Sequence, residues 1–129
     1  MPDGYLLCFD FGLRYIGCAL GQTITSTARP LKTIGAKAGK PEWPILDELF
    51  KTWQPVYTLV GLPLNMDDSE SDMSIAARRF ARQLERRYTV HVEMVDERLS
   101  SKEADWRAAD DRHAVSAQVI AETWLNQRR

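Results

Sequence analysis

The sequence predicts an α/β domain built on a mixed five-stranded sheet flanked by helices. Three observations predict it. Apolar runs of strand length crowd the first part of the chain, separated only by short turns. Further on, such runs alternate with segments of helical spacing. A length of 129 residues is close to the commonest size of one domain and suffices for one hydrophobic core. Early strands joined by tight turns imply an antiparallel meander, and later strands separated by helices imply parallel additions through right-handed crossovers. Residues 1–129 therefore read as one domain, without repeats, low-complexity segments or a linker.

Residues 5–11 are almost continuously apolar, as expected of a strand buried on both faces. Gly12 punctuates the run, and residues 15–21 form a second strand after a hairpin centred on Leu13-Arg14. Residues 28–34 make a third strand, shorter, more polar and nearer an edge, and the glycine- and lysine-rich segment 35–41 reads as loop. Leu46, Leu49, Phe50 and Trp53 follow helical spacing, with Pro44 suited to the first turn and Pro55 ending the helix. Residues 56–62 are the fourth strand, and 65–70 a polar loop rich in capping residues. Met73, Ala77, Phe80, Leu84 and Tyr88 make the inward stripe of a longer helix. Residues 90–95 alternate as a fifth strand, and Ser100-Ser101-Lys102-Glu103 is a capping box opening a short helix. The last helix covers about residues 112–126, with Ala117, Ile120, Ala121 and Trp124 facing inward.

Composition excludes several classes. At 44% hydrophobic and 27% charged, the chain has the make-up of a folded, soluble protein, and no apolar run reaches the roughly 18 residues of a membrane span. Met1-Pro2-Asp3-Gly4 lacks the basic start of a signal peptide, and Asp10 interrupts the apolar stretch that follows. Cys8 and Cys18 sit inside strand-like runs and read as small buried thiols in a reducing compartment. The net charge of −1 is not that of a basic coat protein, so any nucleic-acid binding rests on local sites.

Two acids at strand ends carry the chemistry. Asp10 lies between Phe9 and Phe11, where a carboxylate is costly to desolvate unless a cation or hydrogen bond meets it. It is either a turn aspartate or a metal ligand beside Gly12, which lets a phosphate approach the backbone. Asp96-Glu97-Arg98-Leu99-Ser100 follows an apolar strand, at the strand end where α/β sites collect. It reads either as a helix-stabilising acidic pair or as a second metal ligand. Gly61 removes a side chain beside the Asp10 strand and leaves room for Glu97 to reach across. His113 shares the inward stripe of the last helix, in its first turn, as a boundary residue or as a third ligand. His91 points outward and has no role. Asp67-Asp68-Ser69-Glu70 could recruit a metal but reads first as a solvated helix cap, and Arg78, Arg79, Arg82, Arg86 and Arg87 as a solvated face or a local phosphate-binding patch.

Together these motifs resemble the YqgF (RuvX) family. The resemblance rests on Phe9-Asp10-Phe11-Gly12 with Ile16-Gly17, on Gly61-Leu62-Pro63-Leu64-Asn65-Met66-Asp67, and on Asp96-Glu97-Arg98-Leu99-Ser100, in that order over nearly the whole chain. It implies a ribonuclease H-like fold with sheet order 3-2-1-4-5 and a cytoplasmic location. It also implies a metal-dependent nuclease that matures the 5′ end of pre-16S rRNA or cleaves Holliday junctions in DNA. Asp10 and Glu97 carry over as the site acids. The family places an aspartate at the start of its last helix, and matching Ser116-Ala117 to that stretch puts His113 at its position, with Asp110 or Asp111 as alternatives. The expected catalytic and metal-binding set is thus Asp10, Glu97 and His113, holding Mg²⁺ or Mn²⁺, with Gly12, Arg14, Asn65 and Arg98 contacting substrate. Two such ions about 3.5–4 Å apart activate water and neutralise the phosphorus centre, and carboxylates are the ligands they prefer. A nucleotide-dependent kinase of the actin and sugar-kinase type also starts on an Asp-x-Gly hairpin, but it needs two such lobes. The other rival is a non-catalytic RNA-binding assembly factor on the same fold. Structured RNA or branched DNA is the expected partner, with no membrane, as monomer or homodimer.

Overall fold

The structure, a computed structural model, describes residues 3–99 and 111–128. β1 (Tyr5–Asp10), β2 (Tyr15–Gln22) and β3 (Thr27–Lys37) form the meander, and β4 (Lys40–Pro41) turns back on β3. Then follow α1 (Trp43–Trp53), β5 (Tyr57–Leu62), α2 (Asp72–Tyr88), β6 (Val92–Asp96), a single 3₁₀ turn over Glu97–Leu99, and α3 (Arg112–Gln127). The expected capping box at residues 100–103 and Asp110 lie outside the described residues.

The sheet order is β4-β3-β2-β1-β5-β6. β2 runs antiparallel to β1 and β3, whereas β1, β5 and β6 are parallel. The expected order of five strands therefore stands, with a sixth added at its edge. That sixth strand corrects the reading of 35–41 as loop. β3 continues to Lys37 and pairs with β4 across a two-residue turn, Ala38 (φ 50°) and Gly39 (φ 82°). Two successive left-handed residues match the right-handed twist of a hairpin, the geometry of a type I′ turn. The turn's backbone is anchored to the β1–β2 loop by Gly39 N donating to Leu13 O at 3.0 Å and Ala36 N to Arg14 O at 2.8 Å.

Alternation along β1 sends its side chains to two cores. Leu7, Phe9 and, beyond the strand, Phe11 join α1 and α2 residues such as Phe50, Phe80 and Leu84. Phe9 stacks on Phe50 at 6.1 Å and meets Phe80 edge-on at 5.8 Å. Burying each such ring contributes roughly 1.5–3 kcal/mol. Leu6 and Cys8 face the other way, onto Ala117, Ile120, Ala121 and Trp124 of α3. The small residues of α3 let it approach the sheet closely: a methyl on Gly17 would come within 1.9 Å of His113 O. α1 carries Pro44 in its first turn and stops at Gln54 in a left-handed conformation. α2 is capped by Ser71, whose hydroxyl accepts from Ser74 N while Ser74 Oγ accepts from Ser71 N. Among the described residues no helix is long and apolar enough to cross a membrane.

Candidate active site

Asp10 is the last residue of β1, directly opposite Gly17 of β2, on the face that α3 covers. Glu97 follows β6 immediately, two strand positions away across β5. Two strand spacings are about 10 Å, so the carboxyls meet only if nothing stands between them. Gly61 provides that space. A methyl group there would come within 2.8 Å of Glu97 Oε1 and of Ile120 Cδ1. Glu97 lies across this gap and its carboxyl hydrogen-bonds Asp10. Burial first, then the hydrogen bond and charge of Asp10, push the Glu97 carboxyl up to about 9, so at neutral pH it holds the proton and donates it to Asp10. The buried Cys8 thiol, two residues before Asp10 on the face that α3 covers, is pushed up by burial, then by Cys18 across the sheet, and by Asp10 and Glu97. Among the described residues neither Asp10 nor Glu97 has a lysine or arginine within ion-pair distance.

The neighbouring acid is satisfied. Arg98 Nη2 meets Asp96 Oδ2 at 2.7 Å, and Arg98 Nε reaches Oδ1 at 3.0 Å. Its Nη1 bonds Asp68 Oδ1 at 2.8 Å and donates to Asn65 O at 2.9 Å. The fork of donors on Arg98 therefore ties the end of β6 to the β5–α2 loop. Asn65 serves the same loop, donating from Nδ2 to Ser69 Oγ at 3.0 Å. Gly12 is set by the β1–β2 turn, since a methyl there would meet Tyr15 O at 2.5 Å. Of the residues expected to contact substrate, Arg14 presents an exposed side chain with no ion pair among the described residues, and Asn65 an exposed one that is bonded to Ser69 of its own loop.

His113 occupies the first turn of α3, its backbone over Gly17 and so next to Asp10 across the β1–β2 ladder. Its ring stacks on Tyr15 at 5.0 Å, a contact with no local sequence signal. Asp111 accepts a hydrogen bond from Thr33 of β3, two strands from β1. The structure thus brings Asp10 and Glu97 together. Among the described residues no third histidine, cysteine or carboxylate is gathered with them.

What remains is a pair of hard oxygen donors at the strand ends, sharing a proton, with no cation among the described residues to balance them. The family model for RuvX, described as Holliday junction resolvase, matches residues 4–127. The chain belongs to the RuvX family. Its similar relatives include proteins named "Putative pre-16S rRNA nuclease". One from Escherichia coli is 52% identical over 135 residues, covering 97% of this chain and 98% of that one. One from Nitrosococcus oceani is 47% identical over 133 residues, covering 96% and 88%. Among solved structures, Thermus thermophilus RuvC in complex with a Holliday junction substrate superposes with a TM-score of 0.64 at 14% identity, covering 97% of this chain and 95% of that one. At that identity the likeness establishes the fold of this RuvX chain, ribonuclease H-like as its motifs implied.

Proposed function

We propose that this RuvX protein is a metal-dependent nuclease that hydrolyses phosphodiester bonds in precursor 16S rRNA, in the cytoplasm. The observation that carries the reading is the Asp10–Glu97 pair, two carboxyls bonded to each other over Gly61 and lacking a counter-charge among the described residues. Leaving such a pair in place costs stability unless a cation joins it. The family membership and the names of the relatives supply the reaction class and the substrate.

The donor set fits a divalent cation of the Mg²⁺ or Mn²⁺ type: it offers oxygen ligands, and the proton on Glu97 occupies the place a cation takes. Such an ion supplies an activated water and neutralises the charge gathering on phosphorus. Asp10 and Glu97 would hold it, both as carboxylates. His113, whose backbone lies over Gly17 opposite Asp10, would be the third donor, and Arg14 would meet the phosphate. In the hydrolysis, water adds to phosphorus, the bond from phosphorus to the leaving sugar oxygen breaks, and that oxygen takes up a proton.

Cleavage assays on single-stranded precursor RNA and on four-way DNA junctions, with Mg²⁺ or Mn²⁺, test the reading. Cutting of the RNA that disappears in Asp10→Asn and Glu97→Gln supports it. Cutting confined to the junction transfers the activity to DNA, as the family description has it. Ion-independent failure on both substrates, or cutting by Asp10→Asn at the wild-type rate, overturns it.

A further inference from the structure

On the opposite face of the sheet, where Phe11 follows the end of β1, lies a cavity of about 160 Å³ that the acid pair does not use. Phe11, Phe80 and Leu13 give it an apolar lining, and Lys40, Arg79 and Gln83 a polar rim. The β3–β4 hairpin forms one wall and α2 another. That wall is fixed by the backbone bond from Gly39 to Leu13, and Gly39 lies so close that a methyl on it would stand 3.2 Å from Phe11 Cζ. The cavity is in the size range that accepts one aromatic ring, since an engineered void of roughly 150 Å³ takes benzene.

The charge around it is uneven. Arg78 is neutralised by Glu70 at 2.8 Å, and Arg87 by Asp47 at 2.8 Å with Trp43 beneath its guanidinium. Arg79, Arg82 and Arg86, spaced i, i+3, i+7 on one face of α2, are exposed and have no ion pair among the described residues. A chain of net charge −1 with three arginines in a row that have no ion pair among the described residues, beside a cavity rimmed by Lys40 and Arg79, offers a local track for a polyanion. Positive side chains along the backbone and apolar surface for an unstacked base are the two elements of single-strand recognition.

We infer that the Phe11–Arg79 cavity holds one unstacked base of the substrate's single strand, with Arg79 and Lys40 on its flanking phosphates and Arg82 and Arg86 carrying the strand along α2. The inference rests on the nuclease reading, because Phe11 and Leu13 flank the turn that follows Asp10, so a strand crossing this end of the sheet passes from the cavity to the acid pair. Duplex nucleic acid, whose bases are stacked, cannot fill the cavity.

Binding of an end-labelled RNA of roughly 12 nucleotides, within the usual site size, tests it by fluorescence anisotropy in EDTA, so that no strand is cut. The expected result is that Arg79→Ala and Lys40→Ala each weaken binding about fivefold or more, and that each lowers the slope of log affinity against log salt by about 0.7. Arg78→Ala, which removes the same charge from a neutralised site, changes affinity by less than about twofold. Ala76→Leu, which fills the cavity without altering charge, weakens the single strand about fivefold and leaves the matching duplex unaffected. Equal losses in Arg78→Ala and Arg79→Ala, or wild-type single-strand binding by Ala76→Leu, overturn the inference. A protein that binds as expected yet cuts neither RNA nor junction with Mg²⁺ or Mn²⁺ overturns the nuclease reading and leaves the cavity assignment standing.

Discussion

Asp96 and Glu97 are adjacent carboxylic acids at the end of one strand, and their surroundings are opposite. Asp96 receives the Arg98 guanidinium and the Arg98 backbone N–H at 2.9 Å, and these bonds hold its carboxyl below the usual range. Glu97 receives burial and another acid, and its carboxyl is pushed the other way. The difference separates an acid that organises the fold from one available for chemistry. A satisfied carboxylate has its counter-charge within the protein, whereas an unsatisfied one waits for something from outside.

The comparison breaks most sharply under amide substitution. Asp10→Asn and Glu97→Gln are expected to lower cleavage by at least about a hundredfold, since each removes a reacting-site ligand. Their melting temperatures should stay within a few degrees of the wild type, because an amide can still hydrogen-bond the remaining acid and no ion pair is lost among the described residues. Asp96→Asn should do the reverse: cleavage within about threefold of wild type, with melting lowered by several degrees as Arg98 loses its main partner and the β5–α2 loop loosens. Matched melting curves and cleavage rates for the three variants decide it. A stability loss in Asp10→Asn with activity retained would make Asp10 structural.

Gly61 tests the same pair through space alone. Gly61→Ala places a methyl 2.8 Å from both Glu97 Oε1 and Ile120 Cδ1, so Glu97 has to move. The expected cost is about 1–3 kcal/mol of overpacking and a ten- to hundredfold loss of cleavage, measured on the folded fraction. Titration provides a subtler check. The Glu97 carboxyl is raised from its ordinary 4.5 toward about 9, so between those values the native state holds a proton that the unfolded chain has released. The stability associated with that proton is complete below about 4.5 and is lost as pH rises toward 9, in the metal-free protein. Asp96 has the opposite sign: its contribution is present above its ordinary value of 3.8 and is lost in acid. Denaturant melts in EDTA should show the decline on the alkaline side, and Asp10→Asn should reduce it. Burial is the main cause and remains in that variant, so the decline should lessen without vanishing; an unchanged slope would mean that Asp10 adds nothing to what burial does to Glu97.

The sequence made the sheet and the acids legible for the same reason: both are set by local pattern. Continuous apolar runs marked β1 and β5, helical stripes marked α1, α2 and α3, and a carboxylate among phenylalanines marked Asp10. Segment 35–41 misled because its turn is Ala38-Gly39, and alanine at φ 50° is not among the usual signals of a tight hairpin. The partner of Arg98 was equally out of reach, because Asn65 lies 33 positions earlier and only the β5–β6 pairing brings the two together. The stack of His113 on Tyr15 likewise joins the first turn of α3 to β2 through tertiary packing alone.

That stack sets the smallest expected effect. His113 stands in the first turn of α3 with its backbone over Gly17, beside Asp10, but its ring rests on Tyr15. An aromatic contact of this kind contributes about 0.5–1.5 kcal/mol, which an ion held by two carboxylates can outweigh, so the ring is free to turn toward them. Imidazole is a poorer ligand than carboxylate for Mg²⁺ and a better one for Mn²⁺. His113→Ala should therefore weaken Mn²⁺ binding about threefold to tenfold and Mg²⁺ binding less, as read by calorimetry with each ion. His113→Asp should shift the preference toward Mg²⁺, and Tyr15→Ala, which releases the ring, should leave Mn²⁺ affinity equal or slightly higher. If His113→Ala leaves both affinities and the ion preference untouched, the ring belongs to Tyr15. The acid pair of Asp10 and Glu97 then carries the ion without it, and the contrast between satisfied and unsatisfied side chains extends to His113 on the satisfied side.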